Sequence, residues 1–312
     1  MWRKRPVRVR VPATSANLGP GFDSFGLALR LHDVVQAQVI DSGLQIAVHG
    51  VGEQTAGQGE RHLVVRAMRA AFEVMGEQPP GMALRCDNAI PQGFGLGSSA
   101  AAVMAGLLAA RALGGEFGLR RLPDAAVLRL ATDLEGHADN VAACQSGGLT
   151  IAWTSGESVR STSLLPLPGL KPVLCVPPVG LSTEAARQVL PSTVPHADAA
   201  RNSARAALLV AALLGDAGLL FDATTDVLHQ PYRAGSMPGS ARLISALRAA
   251  DVPAVVSGAG PAVLALLVPP VTPGPEVVES IAAGAGEWAV SVVDVDRDGA
   301  TVLAERDSNG RL

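Results

Sequence analysis

A glycine-rich segment restricts the fold of this chain more than any other feature. Residues 91–102 read Pro-Gln-Gly-Phe-Gly-Leu-Gly-Ser-Ser-Ala-Ala-Ala, with glycines at alternate positions followed by two serines. Residues 82–86 before it alternate like a half-buried strand, whereas residues 100–113 are apolar at helical spacing. The glycines therefore join a strand to a helix N-terminus, where unpaired N–H groups and the helix dipole favour an anion.

The missing Cβ atoms would also let a phosphate approach the backbone of this loop closely. ATP is the obvious candidate for such an anion. The alternative is a plain glycine-rich turn capped by Ser98, because Gly-x-Gly-x-Gly runs are common.

The positions of lysine, histidine and serine exclude or weaken several enzyme classes. Lysine occurs only at Lys4 and Lys171, far from the loop, so a P-loop nucleotide hydrolase, a protein kinase and Schiff-base chemistry all lose support. No pair of histidines has the His-Glu-x-x-His spacing of a zinc hydrolase. Neither Ser98 nor Ser99 lies in a Gly-x-Ser-x-Gly motif, which weakens a serine hydrolase.

Length and composition narrow the class of protein without indicating a function. The chain has 312 residues and 48% hydrophobic content, enough for two domains with buried cores. A formal charge of -3 and a pI near 6.1 argue against nucleic-acid binding. No apolar stretch resembles a membrane span or a secretion signal, so we expect a cytoplasmic, soluble protein. Three widely spaced cysteines predict buried thiols rather than disulfides or a zinc site.

The alternation of strand-like and helical segments predicts an α+β fold. A Pro- and Ser-rich stretch at 155–168 is the best domain boundary, which gives domains at 1–160 and 161–312. Asp124 is a plausible N-cap for a helix that ends at Gly136. We predict strands at 7–11, 34–40, 44–48, 82–86, 149–153 and 173–176, and helices at 63–75, 100–113, 124–135, 182–189, 201–214, 240–250 and from Glu276 onward.

Two polar clusters in the first half require either chemistry or a simpler explanation. Residues 12–23, taken alone, favour a surface turn, because Asn, Asp, Ser and Gly are common there. Residues 133–140 carry carboxylates and an Asn around a helix break. They indicate either a helix end followed by an Asx cap, or a metal carboxylate beside a group that orients a nucleophilic hydroxyl. Phosphoryl transfer uses both of the latter groups.

The second half carries two arginines and another glycine-rich turn. Arg187 and Arg233 would each be a solvated side chain if isolated, but together they would suit the carboxylate of a small amino acid. Residues 257–261, Ser-Gly-Ala-Gly-Pro, are consistent with a plain tight turn or with a second part of the site.

Taken together, these motifs resemble the GHMP family of small-molecule kinases. Residues 95–101 are similar to the family's phosphate-binding motif, and residues 257–261 are similar to its C-terminal glycine motif. The segments 12–23, 135–140, 181–187 and 229–233 follow the order found in the branch of the family that phosphorylates L-homoserine. The resemblance covers roughly residues 7–267. It implies a two-domain fold, with an N-terminal ribosomal-protein-S5-like domain and a C-terminal ferredoxin-like α/β sandwich.

The resemblance also implies a function and leaves alternatives. The expected reaction is ATP- and Mg²⁺-dependent phosphorylation of the L-homoserine hydroxyl, in threonine biosynthesis, with no nucleic-acid or membrane partner and with a homodimer left open. One alternative is a GHMP kinase with a mevalonate-type or sugar substrate. Another is a non-catalytic nucleotide-binding relative. A dinucleotide-dependent oxidoreductase is weaker, because no convincing acidic residue follows the loop by about 20 residues.

By the same resemblance, each matched residue has an expected role. ATP would be bound by Pro91, Gln92, Gly93, Phe94, Gly95, Leu96, Gly97, Ser98, Ser99, Ala100 and Ala101, with His62 near the adenine. Ser99 and Glu135 would hold Mg²⁺. Asn17 and Asp23 would take the substrate ammonium, and Arg187 and Arg233 its carboxylate, with Thr183 nearby. Asp139 and Asn140 would position the attacking hydroxyl, with base catalysis left open, so the expected catalytic residues are Asp139, Asn140, Glu135 and Ser99.

Overall fold

A computed structural model describes residues 2–3, 5–114 and 120–304, and of Thr183 only the backbone. The described strands form two sheets, of which the first has the order β11-β1-β2-β4-β3, with β5 paired to β2 and β6 paired to β5. Within it β3 and β4 are parallel, and the other pairs are antiparallel. Its strands are β1 (Val7–Ala16), β2 (Phe25–Ile40), β3 (Gly43–Gly50), β4 (Gly81–Asn88), β5 (Leu149–Ser155), β6 (Ser158–Leu164) and β11 (Thr301–Leu303).

Helices pack against this sheet, and the glycine loop leads from β4 into the second of them. They are α1 (Leu63–Met75), α2 (Ser98–Gly114), α3 (Asp124–Glu135) and α4 (Asp139–Ser146), with a 3-10 helix at Glu53–Arg61. Helix α2 is rich in alanine and largely buried. It approaches α1 closely, because a Cβ added at Gly106 would lie 2.5 Å from the Val64 carbonyl oxygen. Small residues therefore allow α2 to lie in the core with its N-terminus at the loop.

The second sheet has the order β10-β7-β9-β8. Its strands are β7 (Lys171–Val176), β8 (Ala254–Val256), β9 (Val263–Leu267) and β10 (Ala289–Val292), and its helices are α5 (Thr183–Gln188), α6 (His196–Leu214), α7 (Leu220–Ala223), α8 (Gln230–Arg233), α9 (Pro238–Ala249) and α10 (Pro275–Ala285), with a 3-10 turn at Ala217–Leu219. Leu243 and Leu247 of α9 and Val278 of α10 share a buried core with this sheet. Strand order 4-1-3-2 with a helix after the first and third strands is the ferredoxin-like arrangement, so the predicted fold class is confirmed.

The pairing of β6 bears on the predicted domain limits. Residues 155–168 were expected to link the domains, but Ser158–Leu164 forms a hairpin with β5, in which Ser155 opposes Ser158 and Leu149 opposes Leu164. Near the chain end, β11 pairs with β1 in the first sheet. The predicted limit between residues 160 and 161 thus falls inside β6. The division into domains 1–160 and 161–312 stays a prediction, and the pairing of β6 with β5 favours a limit after Leu164.

Other predictions met mixed outcomes. The helix predicted at 63–75 has the bounds Leu63–Met75, but Pro123 rather than Asp124 occupies the N-cap of α3. The surface-turn interpretation of residues 12–23 is wrong, because Thr14 and Ser15 are fully buried in β1.

All three cysteines are free and buried, and burial raises the pKa of Cys86 to about 12. Among the described residues, no helix is long and apolar enough to span a membrane.

Candidate active site

The glycine loop between β4 and α2 is held to the protein by its carbonyl groups. Four consecutive carbonyls accept hydrogen bonds from outside the loop: Gly93 from Leu181 N (2.8 Å), Phe94 from Ala262 N (3.2 Å), Gly95 from Ser257 Oγ (2.8 Å) and Leu96 from Thr14 N (3.0 Å). In a trans peptide the N–H points away from the carbonyl oxygen. The N–H groups of residues 94–97 therefore point away from these donors and are available to an anion.

Two loop glycines are required by both backbone conformation and space. Gly95 and Gly97 have φ values of 74° and 69°, in the left-handed region. A Cβ at Gly95 would overlap the Ser257 carbonyl oxygen, and a Cβ at Gly97 would overlap the Thr14 hydroxyl. Gly93 also has a positive φ, of 82°, but the nearest atom to its added Cβ is 3.8 Å away. The loop thus lies directly against β1 and the second glycine-rich turn.

Most of the predicted residues line one cleft, which we call the central cleft. It is bounded by the loop, the end of β1, the α3–α4 junction, α5, α8 and the second glycine-rich turn. Its lining residues are Ala16, Asn17, Gly93, Gly95, Leu96, Gly97, Ser98, Ser99, Glu135, His137, Asp139, Asn140, Arg187, Arg233, Gly258 and Ala259. The structure therefore brings together residues that are more than 200 positions apart in the chain.

A hydroxyl and a carboxylate meet at the start of α2. The Ser99 hydroxyl donates to Glu135 Oε2 at 2.7 Å, which joins α2 to the end of α3. Such an oxygen pair fits Mg²⁺, which usually keeps one or two protein ligands beside phosphate oxygens and water. No cluster of three or more His, Cys, Asp or Glu that could hold a metal occurs among the described residues. The donor set therefore suits a metal carried with a phosphate more than a closed structural site.

Asp139 lies at the centre of a hydrogen-bonded network that includes an unpredicted histidine. Its Oδ1 accepts from the Asn140 backbone N–H at 2.7 Å and lies 2.9 Å from His137 Nδ1. The Asn140 side-chain oxygen accepts from the Thr14 hydroxyl at 2.8 Å. Sequence reasoning missed His137, whose only signal was its position two residues before Asp139. Burial lowers the pKa of His137, but Asp139 and Glu135 raise it more, so the net shift is upward.

This shift makes the stability contribution of His137 depend on pH. A raised folded pKa means that protonated His137 stabilises the fold below its ordinary value of 6.5, and that this contribution is lost as the pH rises through the higher folded value. We expect the unfolding free energy of the wild type, relative to His137→Gln, to fall as the pH rises above the ordinary histidine value of 6.5. Chemical denaturation at several pH values measures it. Removal of the exposed His49 by His49→Gln is the control, and a His137→Gln profile parallel to that of the wild type would contradict the assignment.

The groups expected at the substrate ammonium, Asn17 and Asp23, lie in the loop between β1 and β2. Asn17 Nδ2 donates to the Gly258 carbonyl at 2.8 Å, and Asn17 Oδ1 accepts from the Asp23 backbone N–H at 2.9 Å, which leaves that oxygen a second lone pair. Asn17 and Asp23 both have left-handed φ values, of 68° and 54°. The Asp23 carboxylate accepts from both terminal nitrogens of Arg187, at 2.7 and 3.2 Å.

Arg233 is buried without a carboxylate partner. It is only 1% exposed, and its Nε donates to the Ala186 carbonyl at 3.0 Å. Its Nη1 donates to His229 Nδ1 at 3.1 Å and to the Gly258 carbonyl at 3.2 Å. In the part of the chain that the structure describes, no Asp or Glu forms an ion pair with it within 4.0 Å. A buried cation that has no ion-pair partner and lines a cleft favours an anionic ligand, and Nη2 remains to bind it.

His229 controls the orientation of this arginine, a role that sequence reasoning also missed. Its Nε2 lies 2.9 Å from the Gly19 carbonyl oxygen, so Nε2 carries the proton and Nδ1 accepts from Arg233. Burial lowers the pKa of His229, which keeps the ring neutral. The ring stacks on Phe22 with centroids 5.2 Å apart. The neutral tautomer thus holds Arg233 in place without neutralising its charge.

A second pocket, the side pocket, adjoins the central cleft at Ser98 and Ser99. Three further predicted residues, His62, Gln92 and Ala101, also line it, together with apolar groups from α1 and α2. Burial lowers the pKa of His62. Pro91, Phe94, Ala100 and the predicted substrate residue Asp23 line neither pocket, and Ala100 is fully buried. Thr183 is the first residue of α5, beside the cleft residue Arg187, and its side chain lies outside the described part of the chain.

The family comparison agrees with the fold and with this cleft. The model of the GHMP kinases N terminal domain matches residues 62–148, which include the glycine loop and the α3–α4 junction. The model of the GHMP kinases C terminal matches residues 197–285, which include Arg233 and the second glycine-rich turn. The chain therefore belongs to the GHMP kinase family.

Several similar proteins within this family are named homoserine kinase. A homoserine kinase of Streptomyces coelicolor is 50% identical over 305 residues, which are 97% of this chain and 96% of the relative. The solved structure of a homoserine kinase from Cytophaga hutchinsonii aligns with a TM-score of 0.81 at 26% identity, over 96% of this chain and 97% of that one. A putative homoserine kinase from Listeria monocytogenes aligns with a TM-score of 0.76 at 28% identity, over 96% and 99%.

Proposed function

We propose that this protein transfers the γ-phosphate of ATP to the side-chain hydroxyl of L-homoserine, forming O-phospho-L-homoserine and ADP for threonine biosynthesis. One observation carries the proposal: an anion-binding loop and a buried arginine without a carboxylate partner line the same cleft. The loop suits a nucleotide triphosphate, and the arginine suits the carboxylate of an amino acid. Similarity to proteins named homoserine kinase supports the choice of amino acid.

In this proposal the nucleotide occupies both pockets. The N–H groups of residues 94–97 and the N-terminus of α2 bind the phosphates, while the side pocket takes the base beside His62. Ser99 and Glu135 hold Mg²⁺, whose chemistry is to neutralise the phosphate oxygens. These residues preorganise the donor, which is most of what phosphoryl transfer asks of a protein.

The acceptor lies on the other side of the central cleft. Asn17 and Asp23 bind the ammonium, and Arg187 and Arg233 bind the carboxylate, which fixes the substrate at both ends of its zwitterion. Asp139 orients the attacking hydroxyl with Oδ2, because Oδ1 already bonds Asn140 and His137. Asn140, held by Thr14, lies beside the loop at Gly97. Base catalysis by Asp139, which the sequence left open, is not part of this proposal.

Cellular setting and partners follow from the same reaction. We place the enzyme in the cytoplasm, where ATP and amino-acid biosynthesis occur, with a small molecule rather than nucleic acid as its partner. The formal charge of -3 supports a small-molecule partner over nucleic acid. A homodimer, which the sequence left open, is not part of this proposal.

The reaction is tested by coupled detection of ADP with a panel of acceptors. We expect ADP formation that depends on homoserine, Mg²⁺ and ATP. Turnover of mevalonate or a sugar without turnover of homoserine would overturn the substrate and leave the family assignment intact. Nucleotide binding with no turnover of any acceptor would favour a non-catalytic relative.

Removal of a carboxylate partner is expected to weaken substrate binding. A hydrogen bond to a charged group contributes roughly 1.5–3 kcal/mol, so Arg187→Ala should raise the KM for homoserine by about 10-fold or more and leave the KM for ATP nearly unchanged. Steady-state kinetics measure both constants. Arg201→Ala, a change of an exposed arginine on α6 that pairs with Asp198, is the control and should change neither. An unchanged homoserine KM in Arg187→Ala would contradict the carboxylate role.

A further inference from the structure

Two residues assigned to opposite ends of the substrate are bonded to each other in this structure. Arg187 Nη2 lies 2.7 Å from Asp23 Oδ1, and Arg187 Nη1 lies 3.2 Å from Asp23 Oδ2. The two side chains are 37% and 40% exposed, so the pair is partly open to solvent. Arg187 lines the central cleft, and Asp23 contacts it from outside the lining. The pair joins the loop between β1 and β2 to helix α5, and its two residues are 164 positions apart in the chain.

The surroundings hold both partners in place. The Asp23 backbone N–H is bound to Asn17 Oδ1, and the Arg187 guanidinium lies 5.9 Å from the Phe22 ring centroid. Phe22 is itself stacked on His229 and lies 5.6 Å from the guanidinium of Arg233. Arg187 also faces Asp139, which acts on its charge without a hydrogen bond. The carboxylate in direct contact with Arg187 is therefore that of Asp23.

We propose that the Asp23–Arg187 ion pair selects for zwitterionic substrates, and we call this pair the latch. Only a ligand with both charges gains ion pairs when it replaces the contact between Asp23 and Arg187. This inference rests on the proposed function. The substrate ammonium replaces Arg187 at Asp23, and the substrate carboxylate replaces Asp23 at Arg187. A zwitterion thus exchanges one ion pair for two. A ligand with a single charge replaces the Asp23–Arg187 ion pair by one new ion pair and leaves the other protein group without its partner.

The latch predicts that breaking the pair improves the binding of singly charged ligands. The probes are 4-hydroxybutyrate, which is homoserine without its amino group, and 3-aminopropan-1-ol, which lacks the carboxylate. Asp23→Asn should bind 4-hydroxybutyrate about threefold to fivefold more tightly than the wild type, as expected for release of an exposed ion pair. Arg187→Gln should bind 3-aminopropan-1-ol more tightly by a similar factor. Both variants should bind homoserine more weakly than the wild type does.

Isothermal titration of the full chain with a non-hydrolysable ATP analogue and Mg²⁺ measures these affinities. Glu184→Gln is the matched control, because it removes a negative charge from α5, the helix that carries Arg187, and Glu184 is exposed and accepts from Gln188 rather than from Arg187. An equal gain for 4-hydroxybutyrate in Glu184→Gln would show a general charge effect and overturn the latch.

The remaining outcomes separate the latch from the proposed function. Homoserine binding to the wild type with no gain for either analogue in the variants would overturn the latch alone. Absence of homoserine binding to the wild type would overturn the proposed function, and the latch with it. The two variants test the pair from opposite sides, so a loss of folding in one, seen by thermal denaturation, still leaves a decisive measurement on the other.

Discussion

Gly95→Ala is expected to abolish ATP binding, whereas Gly93→Ala is expected to weaken it only modestly. Both glycines lie in the same loop with similar positive φ values, of 74° and 82°. An L-residue in this region costs roughly 1–2 kcal/mol, which both variants share. Only at Gly95 would the new Cβ also overlap backbone, at the Ser257 carbonyl oxygen, whereas the nearest atom to a Cβ at Gly93 is 3.8 Å away.

The difference between the two variants isolates the packing of the loop from its conformation. Relief of the overlap at Gly95 requires the loop to move away from the second glycine-rich turn, which breaks the hydrogen bond from Ser257 to the Gly95 carbonyl. Titration with a fluorescent ATP analogue should show a loss above about 100-fold for Gly95→Ala and roughly 5- to 30-fold for Gly93→Ala, the latter from the conformational cost alone. Thermal denaturation checks that both variants fold. Equal losses in the two variants would mean that contact with the turn does not support the phosphate site.

Local chemistry made much of the first half predictable from sequence. Alternate glycines between an amphipathic strand and an alanine-rich segment predict a strand, a loop and a helix, as found in β4 and α2. Helix α3 ends at Glu135 because Gly136 adopts a left-handed conformation with φ of 87°. Such signals lie within a few residues of one another, so no knowledge of the tertiary structure is needed to interpret them.

Strand β6 was missed because its residues do not carry a strand signal. Ser158–Leu164 reads Ser-Val-Arg-Ser-Thr-Ser-Leu and is mostly exposed, so no buried face imposes a clear alternation. Its pairing with β5 through the turn at Gly156, which has φ of 59°, determines its conformation. Its polar composition therefore led to the prediction of a linker between the domains at this place.

The candidate site shows the same division between local and tertiary information. Ser99, Glu135 and Asp139 were proposed from motifs close to the loop or to a helix break, and they line one cleft. The two arginines were informative only if they converged, and convergence depends on how α5 and α8 pack. The tautomer of His229 and the pairing of Asp23 with Arg187 involve partners 210 and 164 residues apart. No spacing rule predicts such contacts.

Glu135→Gln should lower kcat by about 100-fold or more and raise the Mg²⁺ concentration needed for tight ATP binding. The change keeps the shape of the side chain and an oxygen for the Ser99 hydroxyl, but it removes the charge that would hold the metal. A metal at transferring phosphates supplies several kcal/mol of charge stabilisation, so a weakened ligand should cost a substantial part of it. Steady-state kinetics and calorimetric titration of ATP at several Mg²⁺ concentrations measure the two effects separately.

The matched control for this prediction lies two residues earlier on the same helix. Asp133 is 54% exposed and forms an ion pair with Arg129 on the outer face of α3. Asp133→Asn therefore removes the same charge from α3 without touching the cleft, and it should leave kcat and the Mg²⁺ dependence nearly unchanged. If Glu135→Gln lowers kcat while the Mg²⁺ dependence of ATP binding stays that of the wild type, Glu135 acts on the hydroxyl or on Ser99 rather than on the metal. Loss of both in Asp133→Asn would instead trace the effect to the net charge of the helix end.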